Sequence, residues 1–235
     1  MIENELKIAA LEGNSFSGKT TLAESLQKLY GFGVVHEYDK YSGGGYNFPA
    51  FPPESYQEAK RAVDFFVELE KRRSGDALET AGKTNIGVVM DRSFYSCISF
   101  QRTVNILLPS VPNAYLYSLD VFEKQVGTKD ILVPPVLIYV EPQSSAVFQK
   151  RVESRGRVPI NFLNEQKTFE SMQLWYYDLV KRNYTNNNGF VLTTLEGQIE
   201  LTTHNAMEFL SSADYSVGRF AILTNFLQNE RQNNA

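Results

Sequence analysis

The stretch Gly13-Asn-Ser-Phe-Ser-Gly-Lys-Thr20 constrains this chain more than any other. It fits G-x-x-x-x-G-K-[ST], the pattern of a loop that binds phosphate, and its flanks suit it. The apolar run Lys7-Ile-Ala-Ala-Leu-Glu12 before it reads as a buried strand. Thr20 to Tyr30 after it reads as a helix with Leu22, Leu26 and Leu29 on one face. Gly13 and Gly18 let the backbone turn its N–H groups onto a polyphosphate, and the helix N-terminus adds to that anion site. On this reading Gly13, Asn14, Ser15, Phe16, Ser17, Gly18, Lys19, Thr20 and Thr21 hold a nucleotide. Lys19 reaches the β- and γ-phosphates, and the Thr20 hydroxyl sits on Mg²⁺. The motif speaks for an NTP and leaves its fate open.

Composition narrows the setting. At 235 residues the chain suits one domain, or one domain with insertions. Hydrophobic residues make up 43% and charged residues 21%, which is enough apolar material for a sizeable core. The net charge of −4 argues against a nucleic-acid polymer as partner. The single cysteine, Cys97, cannot pair internally; it fits a reducing, cytoplasmic setting and reads as a small core or helix residue. The longest apolar run, Ile131 to Val140, holds two prolines and is too short to span a membrane.

Four further strands and their helices follow in order. Gly33 to Glu37 reads as the second strand, and the loop after it carries Glu37, Tyr38, Asp39 and Lys40. Loops leaving the carboxyl ends of strands line the crevice of open α/β sheets, so Glu37 and Asp39 can meet a substrate or be a solvated turn. Ser55 and Glu58 form a capping box for a helix running to about Arg73, ended by Gly75. Lys71, Arg72 and Arg73 read as its solvated end. Ile86 to Asp91 is the third strand, with the acid at its tip and Arg92 next. An acid there serves Mg²⁺, directly or through water, and an arginine clamps phosphate. The helix from Ser93 to Leu108 carries Ser96, Phe100 and Gln101; the helix from Ala114 to about Val126 carries an aromatic stripe that suits core or dimer surface.

Pro135 to Val140 is the fourth strand. The helix after it ends in Lys150, Arg151, Arg155 and Arg157, with Gly156 between the last two. Arg151 and Arg155 share a helix face. Three arginines with a glycine hinge suit a lid that stabilises transferring charge. An amphipathic helix from Asn164 to about Arg182, a fifth strand from Phe190 to Thr194 and two more helices complete the pattern. The chain divides into one domain over residues 1–228, with a lid at about 151–163, and a polar, frayed tail over 229–235. Strands alternating with helices imply a parallel sheet with right-handed crossovers.

These pieces together resemble the thymidylate kinase and deoxynucleoside kinase group of P-loop kinases. Glu12-Gly13 and Ser17 to Thr21 look like its first motif, Glu37 like the glutamate after its second strand, and Asp91-Arg92 like its Asp/Glu-Arg pair. Ser96, Phe100 and Gln101 fall at the offsets of a serine, an aromatic and a glutamine in thymidylate kinases. Leu137 to Arg157 resembles the strand, helix and arginine-rich lid. The resemblance covers most of residues 5 to 195. It implies a three-layer α/β P-loop kinase-type fold with a five-stranded parallel sheet flanked by helices, ATP and Mg²⁺ as cofactors, and a homodimer packed through the helices after Asp91. It implies that Lys19, Glu37, Asp91, Arg92, Arg151, Arg155 and Arg157 carry catalysis, with Thr20 and Asp91 at the metal. Glu37, Tyr38, Arg92, Ser96, Phe100 and Gln101 would bind the acceptor, with Tyr41 and Tyr46 as further aromatics able to stack on a base.

Four departures, one of them a lid that lacks the expected Arg-x-x-Glu continuation, leave the acceptor open between a nucleoside monophosphate, a deoxynucleoside and a non-nucleotide metabolite. Ser15 stands where thymidylate kinases usually carry an acid. Glu37-Tyr-Asp-Lys40 replaces Glu-Pro-Gly-Gly, and Ser93 replaces an aromatic. A nucleotide-driven switch without transfer is the reading from another class. Gly127-Thr-Lys-Asp130 lacks the spacer of a guanine motif, which argues against a GTPase.

Overall fold

The computed structural model describes residues 6–43, 47–155, 160–185, 187–216 and 219–232. The described chain runs β1 (Ile8–Glu12), α1 (Lys19–Tyr30), β2 (Gly33–Val35), α2 (Tyr38–Tyr41), α3 (Tyr56–Ala81), β3 (Val88–Asp91), α4 (Phe94–Leu107) and α5 (Tyr115–Gly127). It continues with β4 (Val136–Pro142), α6 (Ser145–Arg155), a 3₁₀ turn (Asn161–Asn164), α7 (Gln166–Asn183), β5 (Gly189–Thr194), α8 (Ile199–Ser212) and α9 (Arg219–Gln232). The strands form one sheet in the order β2-β3-β1-β4-β5, and every pairing is parallel.

Parallel strands covered on both faces need apolar residues at every position, and β1 meets that with all five residues buried. Alternation sorts them. Ile8, Ala10, Val88, Met90, Leu137 and Tyr139 join one cluster with residues of α3, α4, α5, α7 and α9. Ala9, Leu11, Val89, Ile138 and Val140 join the other, with Leu22 and Leu26 of α1 and Ala206 and Leu210 of α8. The result is the expected three layers. Strand order reverses between β1 and β3, and the crevice outside their carboxyl ends is where such sheets bind ligands.

Several elements differ from the sequence expectation. Helix α3 runs through Gly75 to Ala81, because its far half packs Ala77 and Ala81 into the core. Leu29 is exposed, since the face of α1 turned to the core carries Leu22, Ala23 and Leu26. Tyr38 to Tyr41 forms a short helix where a loop was expected. Residues 229–232, expected as frayed tail, are the last turn of α9. Glu230 there is buried and accepts from the Trp175 indole N–H at 3.0 Å and from the Tyr115 hydroxyl. A buried carboxylate with two donors ties that turn to α5 and α7. No helix among the described residues is long and apolar enough to cross a membrane.

Candidate active site

The phosphate loop leaves β1 at Glu12 and enters α1 at Lys19. Gly13 has φ +143° and Gly18 φ +101°, conformations that side chains rarely adopt. A Cβ on Gly13 would collide with the Val140 carbonyl oxygen of β4. Phe16, also left-handed at φ 63°, sets its ring edge against Phe148 of α6. The Asn14 amide donates to the Phe169 carbonyl of α7 at 2.9 Å. So the Asn14 side chain holds the loop and Phe16 packs on α6, while Ser15, Phe16, Gly18, Lys19, Thr20 and Thr21 line the cavity beside it. Lys19 is buried, and its ammonium donates to the Asn14 carbonyl at 2.7 Å and to Ser17 Oγ at 3.2 Å. Burial lowers its pKa to about 8, and the Arg92 charge pushes the same way.

Beside the loop, Thr20 Oγ1 donates to Asp91 Oδ2 at 2.5 Å, while Asp91 Oδ1 is buried with no partner. Burial and the nearby Glu37 charge raise the Asp91 carboxyl above its usual range. A hydroxyl and a carboxylate side by side are hard oxygen donors, the set that Mg²⁺ takes when phosphates supply the rest. No cluster of three or more acids, histidines or cysteines among the described residues forms a metal cage.

Across from Lys19, Arg92 sits at the tip of β3 with φ 75°. Its Nε donates to Glu37 Oε1, and its Nη1 donates to the Gly13 carbonyl at 3.0 Å and to Ser96 Oγ at 3.3 Å. Burial would raise the Glu37 carboxyl. The Arg92 and Lys19 charges override that, and the net shift is downward, so Glu37 is ionised at neutral pH. Beneath the pair lies Glu12, fully buried. It accepts from the Ser93 N–H and hydroxyl and from the Ser96 hydroxyl, each at 2.6 Å. Ser96 thereby links Glu12 to Arg92.

These groups open into a cavity of about 620 Å³. Its polar end holds Lys19, Glu37 and Arg92. Its far end is apolar, walled by Phe48, Phe51, Phe66, Phe100, Leu163 and Met172. Phe100 packs against Phe51 and Phe162, at centroid separations of 5.2 and 6.2 Å. Gln101, which taken alone reads as a surface amide, is buried in the cavity wall. Its Oε1 accepts from the Ala114 N–H at 3.0 Å, leaving the amide nitrogen without a partner among the described residues. Lys19 and Arg92 are the only cations lining the cavity among the described residues.

Other candidates divide. Tyr38 lines the wall, but its hydroxyl is tied to the Ser93 carbonyl at 2.8 Å. Tyr41 donates to Asp76 at 2.6 Å, away from the cavity, and Asp39 does not line it either. Tyr46 lies outside the described residues. Arg151 donates to the Phe16 and Ser17 carbonyls at 3.0 and 3.2 Å and to Thr194 Oγ1 at 3.1 Å, bracing the loop from α6. The Arg155 side chain, Gly156 and Arg157 lie outside the described residues. The reading of Arg73 as a solvated helix end is corrected. It is fully buried, paired with Glu70, and bound to backbone carbonyls at the tips of β2 and β3. Glu12, Glu70 and Arg73 are the polar groups here that sequence reasoning did not assign to the site. Glu12 had one signal, its place directly before Gly13.

No protein-family profile and no curated protein sequence matches the chain. Solved structures do. A deoxyadenosine kinase from M. mycoides, with the products dCMP and a flexible dCDP bound, superposes with a TM-score of 0.61 at 17% identity, over 87% of this chain and 98% of that one. A thymidylate kinase from Candida albicans gives 0.61 at 14%, over 87% and 91%. One from Ehrlichia chaffeensis gives 0.52 at 18%, over 87% and 97%. The fold is that of the deoxynucleoside and thymidylate kinases.

Proposed function

We propose that this chain is a kinase that moves the γ-phosphoryl group of ATP to the hydroxyl of a deoxynucleoside. The observation that carries the reading is the Glu37–Arg92 pair at the junction between the phosphate loop and the apolar slot. A monophosphate acceptor would bring about two negative charges at pH 7 beside the ionised Glu37. Of the two cations described there, Arg92 is already paired with that carboxylate and Lys19 serves the donor phosphates. A neutral alcohol suits the same place: its hydroxyl can donate to Glu37 while its base fills the aromatic end. The amide nitrogen of Gln101 then donates to a carbonyl or ring nitrogen on the base edge.

The loop N–H groups and Lys19 hold the donor phosphates. The acceptor oxygen attacks the γ-phosphorus, its proton passes to Glu37, and the bond to the bridging oxygen breaks with its electron pair leaving on ADP. Arg92 offsets charge on the transferring group, and Arg151, Arg155 and Arg157 add positive charge from the lid side. Thr20 and Asp91 would hold Mg²⁺, which neutralises charge on the phosphate oxygens when bound.

The test is mass spectrometry of products after incubation with ATP, Mg²⁺ and a pool of nucleosides, nucleoside monophosphates and small alcohols. A nucleoside heavier by one phosphoryl group is the expected product, absent with Lys19→Ala. Phosphorylation of monophosphates alone, or release of free phosphate alone, would refute the reading.

A further inference from the structure

Arg73 is an unusual place to keep a charge. Its side chain has no exposure, it lies midway along α3, and it does not line the cavity. Its Nη1 is matched by the Glu70 carboxylate one turn earlier. The rest of the guanidinium is spent on backbone. Nε donates to the His36 carbonyl at 3.0 Å, and Nη2 donates to the carbonyls of Asp91 and Arg92 at 2.7 and 2.6 Å. The flat face of the group lies over the Tyr38 ring, with Cζ 4.3 Å from its centroid. Tyr38 in turn reaches back to the Ser93 carbonyl.

These partners share one property. His36 immediately precedes Glu37, and Asp91 and Arg92 are the metal-side acid and the cavity arginine themselves. One guanidinium therefore bridges the chain ends that leave β2 and β3. It does so where Arg92 takes a left-handed backbone conformation that non-glycine residues adopt at a cost. A planar fork with five N–H donors can serve three carbonyls and a carboxylate from one position; an ammonium has only three donors. A buried ion pair is weak evidence for stability, because apolar residues of similar size often replace it without loss. Its presence here, aimed at these carbonyls, needs a reason other than stability.

We infer that Arg73, held by Glu70, is a positioning residue that sets the spacing and orientation of Glu37 against Arg92 and so the geometry of phosphoryl transfer. The inference rests on the activity proposed above. Misplacement by about 1 Å can cost on the order of 10²-fold in rate. Arg73 makes no direct hydrogen bond to Lys19 or to the loop and reaches them only through Arg92 and Asp91, so nucleotide binding is the less affected step.

The experiment is the double substitution E70L/R73M, which keeps the volume and removes both charges. The expected outcome is a folded protein whose unfolding temperature is lowered, because the carbonyls of His36, Asp91 and Arg92 lose their donor, with fluorescent-nucleotide affinity within threefold of wild type. Its kcat falls by about 10²-fold. R73K alone, which retains the charge without the fork, falls by a similar factor. A folded double variant with kcat within threefold of wild type would overturn the inference. If E70L/R73M does not fold, E70Q/R73Q carries the same comparison. If wild type itself transfers no phosphoryl group, the functional reading fails and a crystal structure of the folded variant decides this one. Arg92 displaced from Glu37 supports it, and an unmoved pair refutes it.

Discussion

At the scale of single residues, charge and burial set two testable behaviours. Lys19 is neutralised above about pH 8 in the nucleotide-free protein, because burial and Arg92 both disfavour its charge. Triphosphate binding needs the ammonium, so a proton must be taken up above that pH. ATP affinity is expected to hold steady near pH 7.5 and then weaken by about tenfold per pH unit beyond 8. Titration of a fluorescent ATP analogue from pH 7.5 to 9.5 checks this; a flat profile, or the same slope in Lys19→Met, would contradict it. Glu37 behaves in the opposite sense. Its carboxyl is held below the usual range, so the wild-type rate should not fall between pH 7 and 5 on its account. Glu37→Gln removes the proton acceptor and is expected to lower kcat by roughly 10²- to 10⁴-fold, with little change in nucleoside KM. Steady-state kinetics against the nucleoside reads both. Glu37, Asp91 and Arg92 were legible because each lies at or just beyond the carboxyl end of an apolar run. Arg73 was not, because Lys71-Arg72-Arg73 looks like any basic helix end. Only the tips of β2 and β3, brought in by the sheet, bury its third member.

At the scale of elements, α6 and α9 each hold something in place. Arg151 of α6 binds two carbonyls on the outside of the phosphate loop and links them to Thr194 at the end of β5. Arg151→Ala is expected to loosen the loop and weaken nucleotide binding about tenfold, the scale of one lost charged hydrogen bond. An unchanged affinity for ATP would show that the brace is idle. Helix α9 is fastened through Glu230. Glu230→Ala would leave the Trp175 N–H buried without its Glu230 acceptor, costing about 1–3 kcal/mol of unfolding free energy. Urea unfolding measures this, and a loss under 0.5 kcal/mol, the scale of an ordinary surface change, would place Glu230 outside the core network. Neither fastening could be read from its own segment. The run Asn229 to Ala235 is polar and lacks an apolar stripe. Glu230 is buried where α5 and α7 present two donors and Arg102 of α4 brings a positive charge to 3.7 Å. Helix α3 was cut short at Gly75 for a related reason: glycine costs a helix only about 1 kcal/mol, and packing of Ala77 and Ala81 outweighs it.

At the scale of the whole molecule, one sheet couples everything. Both clusters of the core share β1, β3 and β4, whose residues alternate between them. The alternation of strands and helices made that sheet foreseeable, whereas Phe48 and Phe51 in the apolar wall of the cavity come from an irregular segment with no periodicity to read. Because the nucleotide loop leaves the central strand β1 and enters α1, a ligand there should stabilise both layers together. Binding to the folded state alone adds about 2.7 kcal/mol when the ligand is at 100 times its Kd. For a chain of this size that corresponds to roughly 5–11 °C in Tm. Thermal unfolding with ATP and Mg²⁺ is therefore expected to give one transition, moved upward as a whole, by tryptophan fluorescence at Trp175 and by far-ultraviolet circular dichroism alike. Trp175 lies on the α7 side of the sheet, away from α1, so its signal tests the coupling directly. If the circular dichroism transition moved while the Trp175 transition did not, the two layers would be unfolding separately. A deoxynucleoside added with the ATP should raise Tm further if it fills the apolar slot. A monophosphate should add less, because Glu37 opposes its charge.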